Sequence, residues 1–215
     1  MSLLEGDSVG LRTVHSICKM QRAFVRSMSG FTIGGISLAE KQALIGGEWL
    51  ASCASGKYDV ENPASGQVIA QMAKCGKDET NQAIAAASEA FKTWSRRPAK
   101  DRAAVLMRWH DECVAARDDI TRIMTQECGK PLAEARNEFD SGVESLRFFA
   151  AEATRALGDY IPADESRDFV VIKQPVGVVG AISPWYALLR TFYATSHLTL
   201  IFLTIIKECL KISQL

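Results

Sequence analysis

The chain has 215 residues, with 25 lysines and arginines against 25 aspartates and glutamates, 47% apolar and 23% charged. That balance fits one or two globular domains and excludes wholesale disorder. It leaves no net field for nucleic acid, and no basic patch is interleaved with aromatics. The six cysteines, Cys18, Cys53, Cys75, Cys113, Cys128 and Cys209, contain no C-x-x-C pair. Such usage belongs to a reducing compartment with free thiols. His15, His110 and His197 stand at no ligand spacing, so no metal site is expected.

Residues 1–39 read as a transit or disordered leader. Ser8 to Ala39 holds no acidic residue, while Arg12, His15, Lys19, Arg22 and Arg26 recur at spacings of three and four. A cationic amphipathic start followed by Ser27, Ser29 and Gly30 resembles a mitochondrial targeting segment, with the cytoplasm as the alternative. Glu5 and Asp7 run against that pattern.

Ala43 to Leu50 and Tyr58 to Met72 read as short strands turned by Gly46-Gly47 and by Asn62 to Gly66. Helices then take over. Asp78 is the expected cap of a first helix that places Ile84, Ala87, Phe91 and Trp94 on one face. Pro98 opens a second, with Leu106, Trp109 and Cys113 inward. Asp118 is expected to cap a third, carrying Ile120, Ile123 and Met124 and stopped by Gly129 and Pro131. A fourth runs from about Leu132 to Leu157 and ends at Gly158, with Phe139, Val143, Leu146, Ala150 and Ala153 at helical spacing. Arg167 to Pro175 reads as an extended edge-type strand.

The most informative stretch is Gln174-Pro-Val-Gly-Val-Val-Gly-Ala-Ile-Ser-Pro-Trp185. Val178 to Ile182 is short, apolar and rich in β-branched residues between turn formers, the signature of a buried parallel strand. Ligands of open α/β sheets bind beyond the carboxyl ends of such strands. The sequence QPVGVVGAISPW resembles the start of the cofactor domain of NAD(P)-dependent aldehyde dehydrogenases, most closely those acting on succinate semialdehyde. The resemblance covers about residues 42–185. It implies an α/β fold: the N-terminal part of the aldehyde dehydrogenase fold, with β-hairpins, four helices and the first strand of the Rossmann-type sheet, truncated. It implies NAD or NADP for the family, with Ile182, Ser183, Pro184 and Trp185 as cofactor contacts; binding by this chain is left open. Homo-oligomerisation is implied through a strand near 167–175. Glu127, Gly129, Lys130 and Pro131 match the family's Glu-x-Gly-Lys-Pro, a structural helix end, although Glu127-Cys128 beside Lys130 invites a catalytic reading.

No catalytic residue is expected. Tyr186 stands where the family has the asparagine whose side-chain N–H stabilises the oxyanion, a loss worth roughly 100- to 1000-fold in rate. The family's adenosine-ribose lysine, the following Rossmann strands, the glutamate base and the Gly-Gln-x-Cys nucleophile are expected to be missing. Arg190 does not occupy the substrate-carboxylate position, which falls near Tyr193. Asp140 and Glu144, an i, i+4 carboxylate pair, read as a solvated face.

From Tyr186 to Leu215 the chain has no glycine or proline, and Thr191 to Ile206 carries no formal charge. This apolar tail is read as non-homologous and not selected to pack, hence an aggregation liability. A membrane span takes about twenty largely apolar residues, which this threonine-dotted segment does not offer; a tail anchor is the lesser alternative. The expectation is a truncated piece of a succinate-semialdehyde-type enzyme of 4-aminobutyrate (GABA) catabolism that is inactive alone. The alternative is a non-catalytic subunit that binds full-length partners.

Overall fold

The structure, a computed structural model, describes residues 32–33, 36–37, 43–50, 53–164, 167–181 and 203–207. Short antiparallel ribbons come first. β1 (Thr32–Ile33) pairs with β2 (Ile36–Ser37), and β3 (Ala43–Ile45) with β4 (Glu48–Leu50). Gly46 and Gly47 turn the second ribbon at φ 60° and 87°, the pair of positive values that a tight hairpin of matching twist requires. β5 (Lys57–Glu61) pairs with β6 (Val68–Ala73) and brings Val60 opposite Ala70, both buried. The Asn62 side chain accepts the Ala64 N–H at 2.9 Å, and its carbonyl accepts the Gly66 N–H at 2.8 Å.

Four helices follow. α1 (Lys77–Trp94) begins after Gly76, and Asp78 lies inside its first turn instead of capping it. The capping is done by Glu79, which reaches back to accept the Gly76 N–H at 2.8 Å and also the Ala54 N–H at 3.1 Å. A carboxylate three residues into a helix has that reach. On the expected face Ala87 and Trp94 are buried, but Ile84 is exposed. α2 (Ala99–Ala115) follows Pro98 and buries Val105, Leu106, Trp109 and Cys113. α3 (Arg117–Cys128) starts one residue before Asp118, with Ala116 as its cap. Asp118 therefore serves the helix dipole from the first turn, not a cap. Gly129, at φ 72°, ends α3 and donates its N–H to the Thr125 carbonyl.

α4 (Leu132–Glu152) buries Ala135, Phe139, Gly142, Val143, Leu146 and Ala150 along one face. It stops short of the expected limit. Ala153–Arg155 tightens into a 3-10 turn, and Leu157 is exposed. α2 and α3 both pack on α4, and Val60, Ala70 and Trp94 complete a single core with them. An Arg117–Asp140 fork, at 2.8 and 2.6 Å, ties α3 to α4 at the surface.

Beyond α4, β7 (Asp159–Asp164) and β8 (Arg167–Val171) form an antiparallel ribbon. The expected strand is thus confined to 167–171, and its partner was not foreseen. Gly158 permits the approach: a Cβ there would run into the Val171 carbonyl oxygen. β9 (Gly177–Ala181) then pairs in parallel with β10 (Leu203–Lys207). α1 lies along both strands. The sequence suggested no further sheet strand and an unpacked tail, so β10 corrects that expectation in part. Its β-branched Thr204, Ile205 and Ile206 suit a ladder. The 21 intervening residues also exceed the dozen a parallel crossover needs.

The cysteines bring a second correction. Cys113 and Cys128 are thiols outside any disulfide, but Cys53 and Cys75 are disulfide-bonded across a Cα–Cα distance of 5.2 Å. The hairpin between them brings its two flanks together.

Phe139→Ala is expected to cost about 3–5 kcal/mol, read as a lower urea midpoint. Gly129→Ala places a methyl in the left-handed region and 2.8 Å from Cγ of Pro63. It should cost on the order of 1–3 kcal/mol, with Pro63→Ala restoring only the steric part in a double-mutant cycle.

Candidate functional site

The place where a cofactor would sit is set by β9 and β10. Their register runs from Gly177 opposite Leu203 to Ala181 opposite Lys207, so the two carboxyl ends finish level. Such an edge is where open α/β sheets bind ligands. Gly177, Val178, Val179 and Ala181 are half-buried and Gly180 is exposed. β9 is therefore less enclosed than a central strand. Ile182, Ser183, Pro184 and Trp185, the expected cofactor contacts, follow Ala181 directly and lie outside the described residues, as do Tyr186 and Arg190.

Fit to a dinucleotide is thus confined to the framework. A parallel pair with level carboxyl ends and a helix alongside suits one, while the side chains that would hold it come after the described strand. Lys207 occupies the last register position of β10, opposite Ala181.

The helix end Glu127 to Pro131 is built for support. Burial pushes the Cys128 thiol up to about 11, and the Glu127 carboxylate adds to the effect. A nucleophilic cysteine needs the opposite environment. Lys130 is paired with Glu138 of α4, both largely buried, which ties the segment after α3 to the next helix. Gly129 supplies the left-handed turn, and Pro131 immediately precedes α4.

No carboxylate couple forms on α4. The Arg117 guanidinium holds the Asp140 carboxyl below its ordinary range, whereas Glu144 pairs with Arg147 at 3.1 Å. His110 contacts Asp111 at 3.0 Å through Nδ1. Among the described residues no group of three or more histidines, cysteines or carboxylates could hold a metal ion. Cys18 and Cys209 lie outside them.

Ribbons, four helices on one core and a parallel pair in this order define an α/β fold, and comparison with known proteins identifies it. The model of the aldehyde dehydrogenase family matches residues 49–193. The chain belongs to that family. It is 44% identical over 183 residues to the mitochondrial succinate-semialdehyde dehydrogenase of Arabidopsis thaliana, covering 85% of this chain and 34% of the relative. An NADP(+) succinate-semialdehyde dehydrogenase of Escherichia coli strain K12 is 43% identical over 150 residues, or 69% of this chain and 31% of that protein. The solved succinate-semialdehyde dehydrogenase of Burkholderia pseudomallei has a TM-score of 0.73 at 37% identity, over 77% of this chain and 35% of that one. The chain spans about a third of the length of the relatives it matches.

Alkylation of Cys128 should follow its raised pKa. The thiolate fraction near pH 8 falls roughly 100-fold relative to a thiol at the ordinary value of 9.0. The native form keeps a proton that the unfolded chain releases between about pH 9 and 11. This contribution to stability is therefore complete below pH 9 and lost as pH rises through 11. Maleimide labelling of native protein across pH 7–10, with peptide mapping, measures the rate; fast labelling of Cys128 at pH 7 would contradict it.

Proposed function

We propose that this chain supplies the mouth of an NAD(P) cleft and part of the scaffold of a succinate-semialdehyde-type aldehyde dehydrogenase, and that it does not turn over aldehyde by itself. In the intact family the aldehyde is captured by a cysteine, hydride passes to the nicotinamide and water releases the carboxylate. That chemistry starts from a reachable thiolate. One observation carries the proposal: the described cysteines offer none. Cys113 is buried, Cys128 is held protonated, and Cys53 and Cys75 are bonded to each other. NADP(+) in the name of the Escherichia coli relative supports a nicotinamide dinucleotide as the family cofactor.

The reading divides the chain into a leader over 1–39, partial enzyme over 40–185 and a tail from 186 that carries β10. The Arabidopsis relative is named as mitochondrial, which together with the cationic start supports a mitochondrial address. Among the described residues no helix is long and apolar enough to cross a membrane.

A second reading, a subunit that docks on full-length copies, draws on the β7–β8 ribbon. Tyr160, Ile161, Phe169, Val170 and Val171 are all exposed on it, and Ile172 follows them. So much apolar surface on one ribbon suits a partner strand or face.

Purified chain incubated with succinate semialdehyde and NAD+ or NADP+ should produce reduced nicotinamide no faster than buffer; turnover above background would end the first reading. In co-expression with a tagged intact succinate-semialdehyde dehydrogenase, this chain should co-purify, and Phe169→Asp with Val171→Asp should abolish recovery. Failure of the wild-type chain to co-purify would dispose of the docking role.

A further inference from the structure

We propose that Cys53 and Cys75 are a reversible dithiol–disulfide couple that clamps the open end of the β5–β6 hairpin to the start of α1. Its exchange partners are low-molecular-weight thiols and their disulfides, such as glutathione. This goes beyond the dehydrogenase reading and does not depend on it.

The hairpin itself sets the pairing. Lys57 and Ala73 form its last ladder pair, and past them the Lys74 N–H still donates to the Gly56 carbonyl at 2.9 Å. Cys53 bridges to Gly56, whose N–H donates to the Cys53 carbonyl at 3.0 Å. Backbone bonds from Cys53 to Gly56 and from Gly56 to Lys74 thereby draw the two flanks of the hairpin together independently of the sulfur link. Their Cα atoms lie 5.2 Å apart, inside the range that disulfides occupy. Glu79 ties the same two segments by accepting the N–H groups of Ala54 and Gly76. The loop also lies close: a Cβ at Gly76 would stand 3.2 Å from Ser55 Oγ. A pair kept adjacent by other bonds can open and close again.

The two sulfurs differ in access. Cys53 is buried, while Cys75 is half-buried beside the helix start. An external thiolate attacks the Cys75 sulfur, forming a Cys75 mixed disulfide and expelling the Cys53 thiolate, which takes a proton from water. A second external thiolate then attacks that mixed disulfide, releasing the small disulfide and the Cys75 thiolate. Closure is the reverse: a low-molecular-weight disulfide is reduced to two thiols as the protein pair loses two electrons and two protons.

The test equilibrates the full-length chain with glutathione at graded ratios of reduced to oxidised form. Acid quenching, alkylation with N-ethylmaleimide under denaturing conditions, intact mass and peptide mapping follow. The expected result is one two-electron transition. The oxidised form carries two fewer alkylated thiols and yields a peptide cross-linked through Cys53 and Cys75. Reduction should lower Tm by roughly 6–12 °C, the scale for opening a loop of this length in a chain of this size. Cys75→Ser should lose that redox-dependent shift. Alkylation of all six thiols at every ratio, a glutathione adduct on Cys75 without closure, a cross-link between other cysteines, or an unchanged Tm would each overturn the proposal.

Discussion

Burial of one face of α4 is the constraint on which the rest of the structure depends. Phe139 and Leu146 are fully enclosed, and Ala135, Gly142 and Ala150 keep the same face low enough for neighbouring helices to come close. α2 and α3 meet on that face. Packed interiors resist small displacements because each opens a gap whose lining loses its contacts. Trp94, the last residue of α1, is part of the same core. The direction of α1 is therefore set at its carboxyl end by helix packing, and α1 in turn lies along β9 and β10. The carboxyl edge of the β9–β10 pair thus inherits its position from the helical core.

The segment between α3 and α4 shows how a sequence that suggests chemistry serves architecture. A thiol, a carboxylate and a lysine lie within four residues, yet the thiol and the lysine are committed elsewhere. Cys128 is kept protonated by burial, Gly129 makes the turn, and Lys130 binds Glu138. A largely buried ion pair contributes little net stability against an apolar replacement, but removing one partner leaves a desolvated charge. The pair thus fixes how α4 leaves α3 more than it strengthens the fold.

The helices were legible because each buries a stripe at a spacing of three and four, and Leu106, Trp109, Cys113, Phe139, Val143 and Leu146 all lie where that spacing put them. Periodicity failed at its ends. Leu157 kept the rhythm by coincidence after the backbone had tightened into a 3-10 turn. Asp78 and Asp118 look like caps in sequence because cap chemistry is local, yet each helix starts earlier. β7 escaped notice because Pro162 lies within it and the ribbon is exposed on both sides, leaving no alternation to read. β10 was invisible for another reason: its partner lies across the crossover, and only tertiary pairing shows that an apolar run is a strand. The disulfide has a signal in the sequence, since Cys53 and Cys75 flank a hairpin whose turn at Asn62 to Gly66 is plain. The expected cofactor contacts, Ile182 through Trp185, rest on their place after a parallel-type strand and on the family resemblance, and they lie outside the described residues.

Gly158 has a consequence of its own. The ribbon that leaves α4 doubles back so tightly that the Val171 carbonyl oxygen occupies the space a side chain would need. The heading of the whole exposed ribbon, and so the bearing from which any neighbour could approach its apolar residues, is decided by the smallest amino acid at its root. A single methyl there would swing the ribbon outward while leaving every residue along it untouched.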